Sequence, residues 1–497
     1  MPGANPPSPT RPPHYDLLVV GGGINGTGIA RDAAGRGLSV LLVEAGDLAA
    51  ATSSASSKLI HGGLRYLEHF EFRLVAEALA EREILLRIAG HLSWPARFVV
   101  PHVAELRPRW MIRLGLFLYD HLARRSLLAA SERVRLDRSP FGQGLRPELR
   151  HGFVYSDCRV DDARLVIANA LDAARRGARI LTRTRLLSAG RSDGQWQAEL
   201  SNGERVKARA IVNAAGPWAK EIRDRVAGAA SGDALRLVKG SHIVLPRLYK
   251  GEHALVLQND DRRVVFMIPY EDSFTLVGTT DVPLEGDAAK AAASDQEVEY
   301  LCRAVNRYLA KPARPSDVLW RYAGVRPLYD DGTSDPSAIT RDYTLRLDAK
   351  GGAAPMLTVF GGKITTYRRL GEQALEQLAP YFAPLRRPWT ASAPLPGSEF
   401  QSRAELKRAI LERYPALPPE VRRGVLRRHG ALSFEVLGDG MTGEHFGAGL
   451  TERELAYFVE HEWARSADDV LWRRTKCALH MSEAQRARVR EALARLC

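Results

Sequence analysis

The stretch Tyr15–Asp47 reads YDLLVVGGGINGTGIARDAAGRGLSVLLVEAGD. Leu17 to Val20 is a β-rich apolar run. Ile24 to Arg36 alternates small and apolar residues at helical spacing, and Gly37 suits the stop of that helix. Leu38 to Glu44 is a second apolar run, expected as a buried parallel strand. Between the first strand and the helix, Gly21, Gly23 and Gly26 form G-x-G-x-x-G. The first glycine permits the tight turn, the second lets backbone approach a pyrophosphate, and the third lets helix and strand pack closely. The N–H groups opening the helix then face the phosphates. Glu44 ends the second strand at about the 20-residue spacing at which an acid binds a ribose hydroxyl. A G-x-G-x-x-G alone is weak; strand, helix and acid together point to a dinucleotide. The acid favours a free 2′-hydroxyl, hence FAD or NAD over NADP, and the early position in a long, interleaved chain leans to FAD.

Working outward, the 497 residues predict two or three domains. A hydrophobic share of 45% allows sizeable cores and excludes global disorder. No apolar run approaches the roughly 20 residues that span a bilayer. The proline-rich start, MPGANPPSPTRPPH, lacks the apolar segment of a secretory signal and reads as a disordered lead-in over residues 1–14. Cys158, Cys302, Cys477 and Cys497 form no C-x-x-C pair or metal-spaced cluster, so free thiols in a cytoplasmic chain are expected and no metal. The net charge of +13 favours anionic partners, or merely a soluble surface. No zinc-finger or RNP-type pattern supports nucleic acid.

Further on, EFRLVAEALAEREILLRIAGHL and Arg107 to Arg125 read as helices, and DDARLVIANALDAARRGARILTRTRLLSAG as helix then strand. From Leu237 to Asp281 the pattern changes to hairpins, which marks a second, antiparallel domain. LTVFGGKITTYRRLGEQALEQL returns to strand, glycine turn and helix, and from about residue 389 the chain is Arg- and Glu-rich and helical.

Beyond Glu44 the segment GDLAAATSSASSKLIHGGLRYLEHFEFRLVAEALAERE resembles the FAD-dependent glycerol-3-phosphate dehydrogenases of the respiratory chain, the bacterial aerobic type. YSDCRVDDARL, VNAAGPW, KGSHIVLP, VGTTDV, YAGVRPLYDD, ITRDYTL, VFGGKITTYR and HEWARSADDVLWRRTK follow in order, so the likeness covers nearly all the chain after residue 14. It implies an α/β fold: a Rossmann-like FAD-binding domain of the D-amino acid oxidase/glutathione reductase type (15–90, 150–225, 322–388), an antiparallel-sheet substrate domain (91–149, 226–321) and a C-terminal helical domain (389–497). It implies oxidation of sn-glycerol 3-phosphate to dihydroxyacetone phosphate, with FAD taking the electrons and quinone receiving them. The rival reading is an oxidase that makes peroxide. A peripheral position on the cytoplasmic face of the plasma membrane follows. The helix from Arg107 to Arg125, with Trp110, Met111, Leu114, Phe117 and Arg113, reads by its residues alone as a buried helix, and the resemblance turns the reading toward an anionic lipid surface. A homodimer is expected, although the residues of the C-terminal domain suit a dimer contact or a lid equally.

The chemistry asks for cations around a phosphate dianion, a donor near the developing carbonyl oxygen and an acceptor for the hydroxyl proton. The candidates at the substrate are Arg65, Tyr66, Thr280, Arg326, Arg341 and Lys363, with Arg326, His242 and Lys363 closest to the chemistry. Each has a plainer alternative: Arg65 paired with Glu68, Arg341 with Asp342, Arg326 in a domain-interface ion pair, His242 packed in a strand, Thr280 in a turn. Lys363 precedes a helix, whose N-terminus repels cations, so a lysine there points to an anionic ligand. Around the flavin the expected residues are Gly21, Gly23, Gly26, Glu44, Thr52, Ser53, Ser57, Lys58, His61, Ala215, Gly216, Gly362, Thr365 and Thr366.

Overall fold

The structure, a computed structural model, describes residues 12–103, 106–226, 234–261, 263–330 and 342–497. The expected lead-in lies outside them except at its end, where His14 opens β1 (His14–Val20). β1, helix α1 (Ile24–Gly35) and β2 (Val40–Val43) follow the order expected, and β1 pairs in parallel with β2 and with Arg205–Asn213. The sheet runs Thr344–Asp348, Met356–Phe360, Arg205–Asn213, β1, β2, Arg179–Leu181. Leu17, Leu18, Val19, Leu41 and Leu42 have no exposed surface, because both faces of this sheet are covered. α1, Asp162–Arg175 and Tyr367–Leu378 cover one face. The hairpin Leu186–Ser192/Gln195–Leu200, with Trp196 buried beneath it, covers the other.

A second sheet runs Val282–Pro283, Ala234–Pro246, Phe274–Gly278, Val264–Tyr270, Ala254–Gln258, Ser93–Pro101, His151–Val160, Leu59–Ile60, with Trp320–Asp330 also paired to Ala234–Pro246. It is antiparallel except where Ala254–Gln258 meets Ser93–Pro101. Helix Asp295–Asn306 packs on one face. Helices Phe72–Ile88 and Arg109–His121 pack on the other.

The sequence boundaries at 90, 150 and 322 do not follow these sheets. His151–Val160 and Leu59–Ile60, expected in the flavin domain, pair inside the second sheet, and Trp320–Asp330 runs through the boundary at 322 along Ala234–Pro246. The apolar pattern marks strands but not which sheet takes them. The C-terminal part has its own core around Phe446, Phe458, Val425 and Val470, built from Arg403–Arg413, Pro419–His429, Glu452–His461, a π-helical turn Asp469–Arg474 and Glu483–Leu496. It is keyed to the first sheet by charge: Arg473 and Arg474 hold Asp47 at 2.6 and 2.5 Å. Among the described residues no helix is long and apolar enough to cross a membrane. The four cysteines are free thiols, three of them buried.

Candidate active site

The glycine loop is built to admit no side chain. A Cβ on Gly26 would stand 1.9 Å from the carbonyl oxygen of Gly21, and one on Gly21, at φ +115°, 2.5 Å from that of Ala214. α1 therefore begins directly against the loop, and the Ala215–Gly216 turn, expected at the flavin, lies beside it. Glu44 closes the loop: Gly22 N–H donates to its Oε2 at 2.6 Å and Gly46 N–H to its Oε1 at 2.7 Å. Burial raises the Glu44 carboxyl above its ordinary value, against the pull of these N–H groups. Ser53 Oγ accepts the N–H of Ile24 at 3.0 Å, so this hydroxyl sits at the N-terminus of α1.

The GGK turn comes to the same place. Gly361 and Gly362 are left-handed, at φ +73° and +95°, and Asn25 Nδ2 donates to the Gly361 carbonyl at 3.1 Å. A Cβ on Gly362 would meet Asn25 Nδ2 at 2.7 Å. Thr365 Oγ1 accepts the N–H of His61 at 3.2 Å, and Thr365 and Thr366 are buried ahead of helix Tyr367–Leu378.

Lys363 stands over the ring of Tyr66, 3.9 Å from its centre. Its Nζ is buried and makes no hydrogen bond among the described residues. Burial first, then the charges of Lys363 and Arg82, hold the His61 imidazole down at about 4. Arg65 and Tyr66 lie in the turn Leu64–His69, held from behind by helix Arg109–His121. Tyr119 OH accepts from Gly62 N–H at 2.8 Å and donates to Asp157 at 2.7 Å, and Arg82 Nη1 also binds Asp157, at 2.6 Å. Glu68, the alternative partner for Arg65, is bound by Arg107 at 2.6 Å.

His242 forms a third group. Its Nε2 lies 2.8 Å from Ser57 Oγ, and its ring stacks on Tyr322 at 4.9 Å and 13°. Burial, then Lys58 and Arg326, lower the imidazole to about 3, so it is neutral at physiological pH. A Cβ on Gly278, opposite His242 in the neighbouring strand, would stand 2.1 Å from the imidazole. Arg326 Nη2 binds Asp281 Oδ1 at 2.9 Å with both side chains about one-third exposed, so the ion pair that the sequence offered as an alternative is present.

Three expected contacts are redirected. Lys58 points into the protein: its ammonium binds both oxygens of Asp162 at 2.8 and 3.0 Å and the Ser54 carbonyl at 2.9 Å. Thr52 Oγ1 donates to Val325 O at 2.7 Å. Thr280 Oγ1 accepts from Ser241 N–H at 2.9 Å and donates to Glu297 at 2.8 Å, fully buried. Burial works against the ionised Glu297, but hydrogen bonds from Lys239, Ser294, Thr280 and Ser241 hold it at about 2. Short hydroxyls and a lysine near a cofactor loop look alike in sequence whether they face a ligand or a distant strand. Arg341 lies outside the described residues. The sequence reading also passed over Asn25, Asp162 and Tyr322, although all three stand in stretches it quoted, and it read Tyr119 only as part of the helix from Arg107 to Arg125. No group of three or more His, Cys, Asp or Glu among the described residues could hold a metal.

The donor set fits FAD: a glycine cradle closed to side chains, an acid at its rim, a helix N-terminus and a buried ammonium with no hydrogen bond among the described residues. Comparison with known proteins agrees. The profile of the FAD dependent oxidoreductases matches residues 16–368, and that of the C-terminal domain of alpha-glycerophosphate oxidase matches 388–496. The glycerol-3-phosphate dehydrogenase of Pseudomonas aeruginosa is 54% identical over 99% of this chain and 97% of its own. The D-erythritol 1-phosphate dehydrogenase of Brucella abortus is 49% identical over 96% and 97%. The structure of the Bacillus halodurans glycerol-3-phosphate dehydrogenase complexed with FAD superposes with a TM-score of 0.72 at 25% identity, covering 97% of this chain and 94% of that one. The chain belongs to the FAD-dependent oxidoreductases, in the branch that holds the glycerol-3-phosphate dehydrogenases.

Proposed function

We propose that this flavoprotein oxidises sn-glycerol 3-phosphate to dihydroxyacetone phosphate and passes the electrons to a membrane quinone. The observation that carries the reading is Lys363: a buried ammonium without a hydrogen-bond acceptor among the described residues, set over Tyr66 beside the glycine cradle. A buried charge is costly unless paired, and an anionic ligand completes it. Gly21, Gly23 and Gly26 would cradle the pyrophosphate, with Glu44 on the ribose and Ala215, Gly216, Gly362, Thr365 and Thr366 along the flavin. When bound, FAD supplies the hydride chemistry. Neutral His242, its Nε2 at Ser57, is the candidate acceptor of the hydroxyl proton. Arg65 and Arg326 would orient the phosphate, Arg326 through the part of its fork that Asp281 leaves open.

The membrane half of the proposal rests on helix Arg109–His121. Ile112, Leu116 and Tyr119 pack inward, while Trp110, Met111, Leu114 and Phe117 are 65, 41, 51 and 57% exposed. Phe70, 78% exposed, follows the turn that carries Arg65 and Tyr66. An apolar patch of this kind with Arg109 and Arg113 exposed on the same helix suits an anionic lipid surface on the cytoplasmic side, from which a quinone would approach. A homodimer belongs to the same reading and is checked by sedimentation.

Anaerobic glycerol 3-phosphate should bleach the flavin absorbance of the purified protein; a flavin that stays oxidised defeats the proposal. D-erythritol 1-phosphate, added in parallel, separates the two substrates named by the relatives. The oxidase named by the C-terminal match favours oxygen as the rival acceptor. Peroxide formed faster than a quinone analogue is reduced would establish it.

A further inference from the structure

The C-terminal part reaches the candidate proton acceptor through a row of rings. Trp472 stacks on Trp320 with centroids 4.4 Å apart and planes 24° apart. Trp320 lies 4.8 Å from Tyr322, and Tyr322 stacks on His242 at 4.9 Å and 13°. Trp320 and Tyr322 are alternate residues of one strand, so both rings rise on the same face of the sheet. Their register partners on Ala234–Pro246 are Val244 and His242.

Both ends of the row are fixed. Trp472 sits in the π-helical turn Asp469–Arg474, whose Arg473 and Arg474 bind Asp47 at 2.6 and 2.5 Å and whose Asp469 binds Arg183 at 2.5 Å. Asp47 belongs to the loop that begins at Glu44, so the turn is referenced to the cofactor cradle. At the other end a single contact, Ser57 Oγ at 2.8 Å, holds His242 Nε2, while Nδ1 is buried without a hydrogen bond among the described residues. One hydrogen bond fixes only a point on the imidazole, and its plane is held by packing between Gly278 and the ring of Tyr322, whose hydroxyl donates to the Ser56 carbonyl at 2.8 Å. Trp320, partly exposed, has Trp472 over it as its lid.

We propose that Trp472 is a positioning residue for His242, acting through the rings of Trp320 and Tyr322, so that the C-terminal domain sets the orientation of the proton acceptor. This rests on the reading of His242 as that acceptor. The groups facing His242 are Ser57 and Lys58 of the serine-rich loop, Asp162 behind Lys58, and Tyr322 and Arg326 of the adjacent strand. Replacing Trp472 removes none of these groups and reaches them only through the Tyr322 ring.

The test is anaerobic stopped-flow reduction of the full-length flavoprotein by glycerol 3-phosphate, across pH, for wild type, Trp472→Ala, Trp472→Phe, His242→Ala and the Trp472→Ala/His242→Ala double variant. Trp472→Ala should keep its FAD content and lose about 10- to 100-fold in reduction rate, the loss expected for a misplaced reacting group. Trp472→Phe should recover most of it. The acid limb of the rate profile should move to higher pH in Trp472→Ala, because a loosened imidazole regains water. In the His242→Ala background the Trp472→Ala change should cost little more, since coupled residues are non-additive. A full, multiplicative loss in the double variant overturns the role of Trp472 while leaving His242 in place. A wild-type rate in His242→Ala overturns the acceptor itself. Trp472→Leu keeps apolar packing without the ring and takes the place of alanine where that variant yields no folded flavoprotein; a wild-type rate and acid limb there overturn the proposal.

Discussion

Asp162→Asn is the substitution whose outcome the structure specifies most fully. Asp162 has no exposed surface and Lys58 is 5% exposed. The carboxylate takes two contacts from the ammonium, at 2.8 and 3.0 Å, and accepts Ser56 Oγ at 2.8 Å and Ala163 N–H at 2.9 Å. Asparagine keeps an acceptor for Ser56 but leaves Lys58 with a buried charge and one carbonyl, Ser54 O. Breaking one side of a buried pair costs about 3–5 kcal/mol. At an unfolding entropy of about 2.1 cal/mol/K per residue, roughly 1 kcal/mol/K for 497 residues, the melting temperature should fall by about 3–5 °C. Lys58 adds a signature in pH. Burial lowers its folded-state value below the ordinary one, and Asp162 is the largest influence in the other direction. The folded state therefore binds fewer protons than the unfolded, and stability rises with pH between the lowered folded value and about 10.4. Without Asp162 that window opens further down, so the loss should be smaller at pH 9 than at pH 7. Lys58→Met/Asp162→Asn, which removes the stranded charge, should regain most of the stability and keep its FAD. The assay is thermal unfolding followed by circular dichroism at the two pH values, with flavin content read by absorbance. A double variant that is stable but colourless would refute the reasoning, because Lys58 would then serve the cofactor, as its place in the sequence suggested.

Lys363→Met should retain FAD while reduction by glycerol 3-phosphate slows by about 100-fold or more, as loss of a preorganised cation predicts; unchanged flavin reduction would remove Lys363 from the site. Thr280→Val should cost about 1–3 kcal/mol in unfolding free energy, from the stranded Ser241 N–H and Glu297, yet leave the KM for glycerol 3-phosphate unaltered; a raised KM would return this hydroxyl to the substrate. Leu114→Glu/Phe117→Glu should abolish sedimentation with anionic vesicles and spare anaerobic flavin reduction, and retained vesicle binding would locate the membrane contact elsewhere.

How far the sequence could be read differs between strands and side chains. The glycine loop was legible because its requirements are steric and local: Gly26 tolerates no Cβ within 1.9 Å of Gly21 O, and strand, loop, helix and acid all fall within one short segment. Lys363 stood out for a similar reason, since a cation before a helix N-terminus contradicts a local rule, and its Nζ is buried without a hydrogen bond among the described residues. Lys58 was not, because its partner stands 104 positions away and nothing near it in the chain distinguishes a ligand from a buried carboxylate. Thr280 failed in the same manner, its hydroxyl being used by Ser241 and Glu297. The domain boundaries failed for another reason. Strand pattern reports burial, and a strand such as His151–Val160 is buried in either sheet.

The net charge of +13 illustrates why composition points at partners but not at sites. Many arginines of the interior are matched within the fold: Arg31 by Asp172, Arg82 by Asp157, Arg368 by Glu81, Arg474 by Asp47. These pairs join segments far apart in sequence, and they serve to register domains. What distinguishes the cofactor cleft is the reverse condition. There Lys363 is buried yet offered no acceptor by the described residues, and its charge, behind burial, helps hold His61 in the neutral form. Lys476 Nζ is also buried without a hydrogen bond among the described residues, but it has Asp161 at 3.8 Å, whereas Lys363 Nζ lies over the Tyr66 ring beside the cradle, where an anion would complete it. The serine-rich loop beside it makes that arrangement rigid. Ser53 touches α1, Thr52 the strand Trp320–Asp330, Lys58 the helix Asp162–Arg175 and Ser57 the imidazole of His242. The cofactor cradle and His242 are thereby fixed to one short segment. A displacement of either sheet against the other must break contacts in that loop, so the cofactor cradle and the His242 imidazole keep their spacing while substrate exchanges.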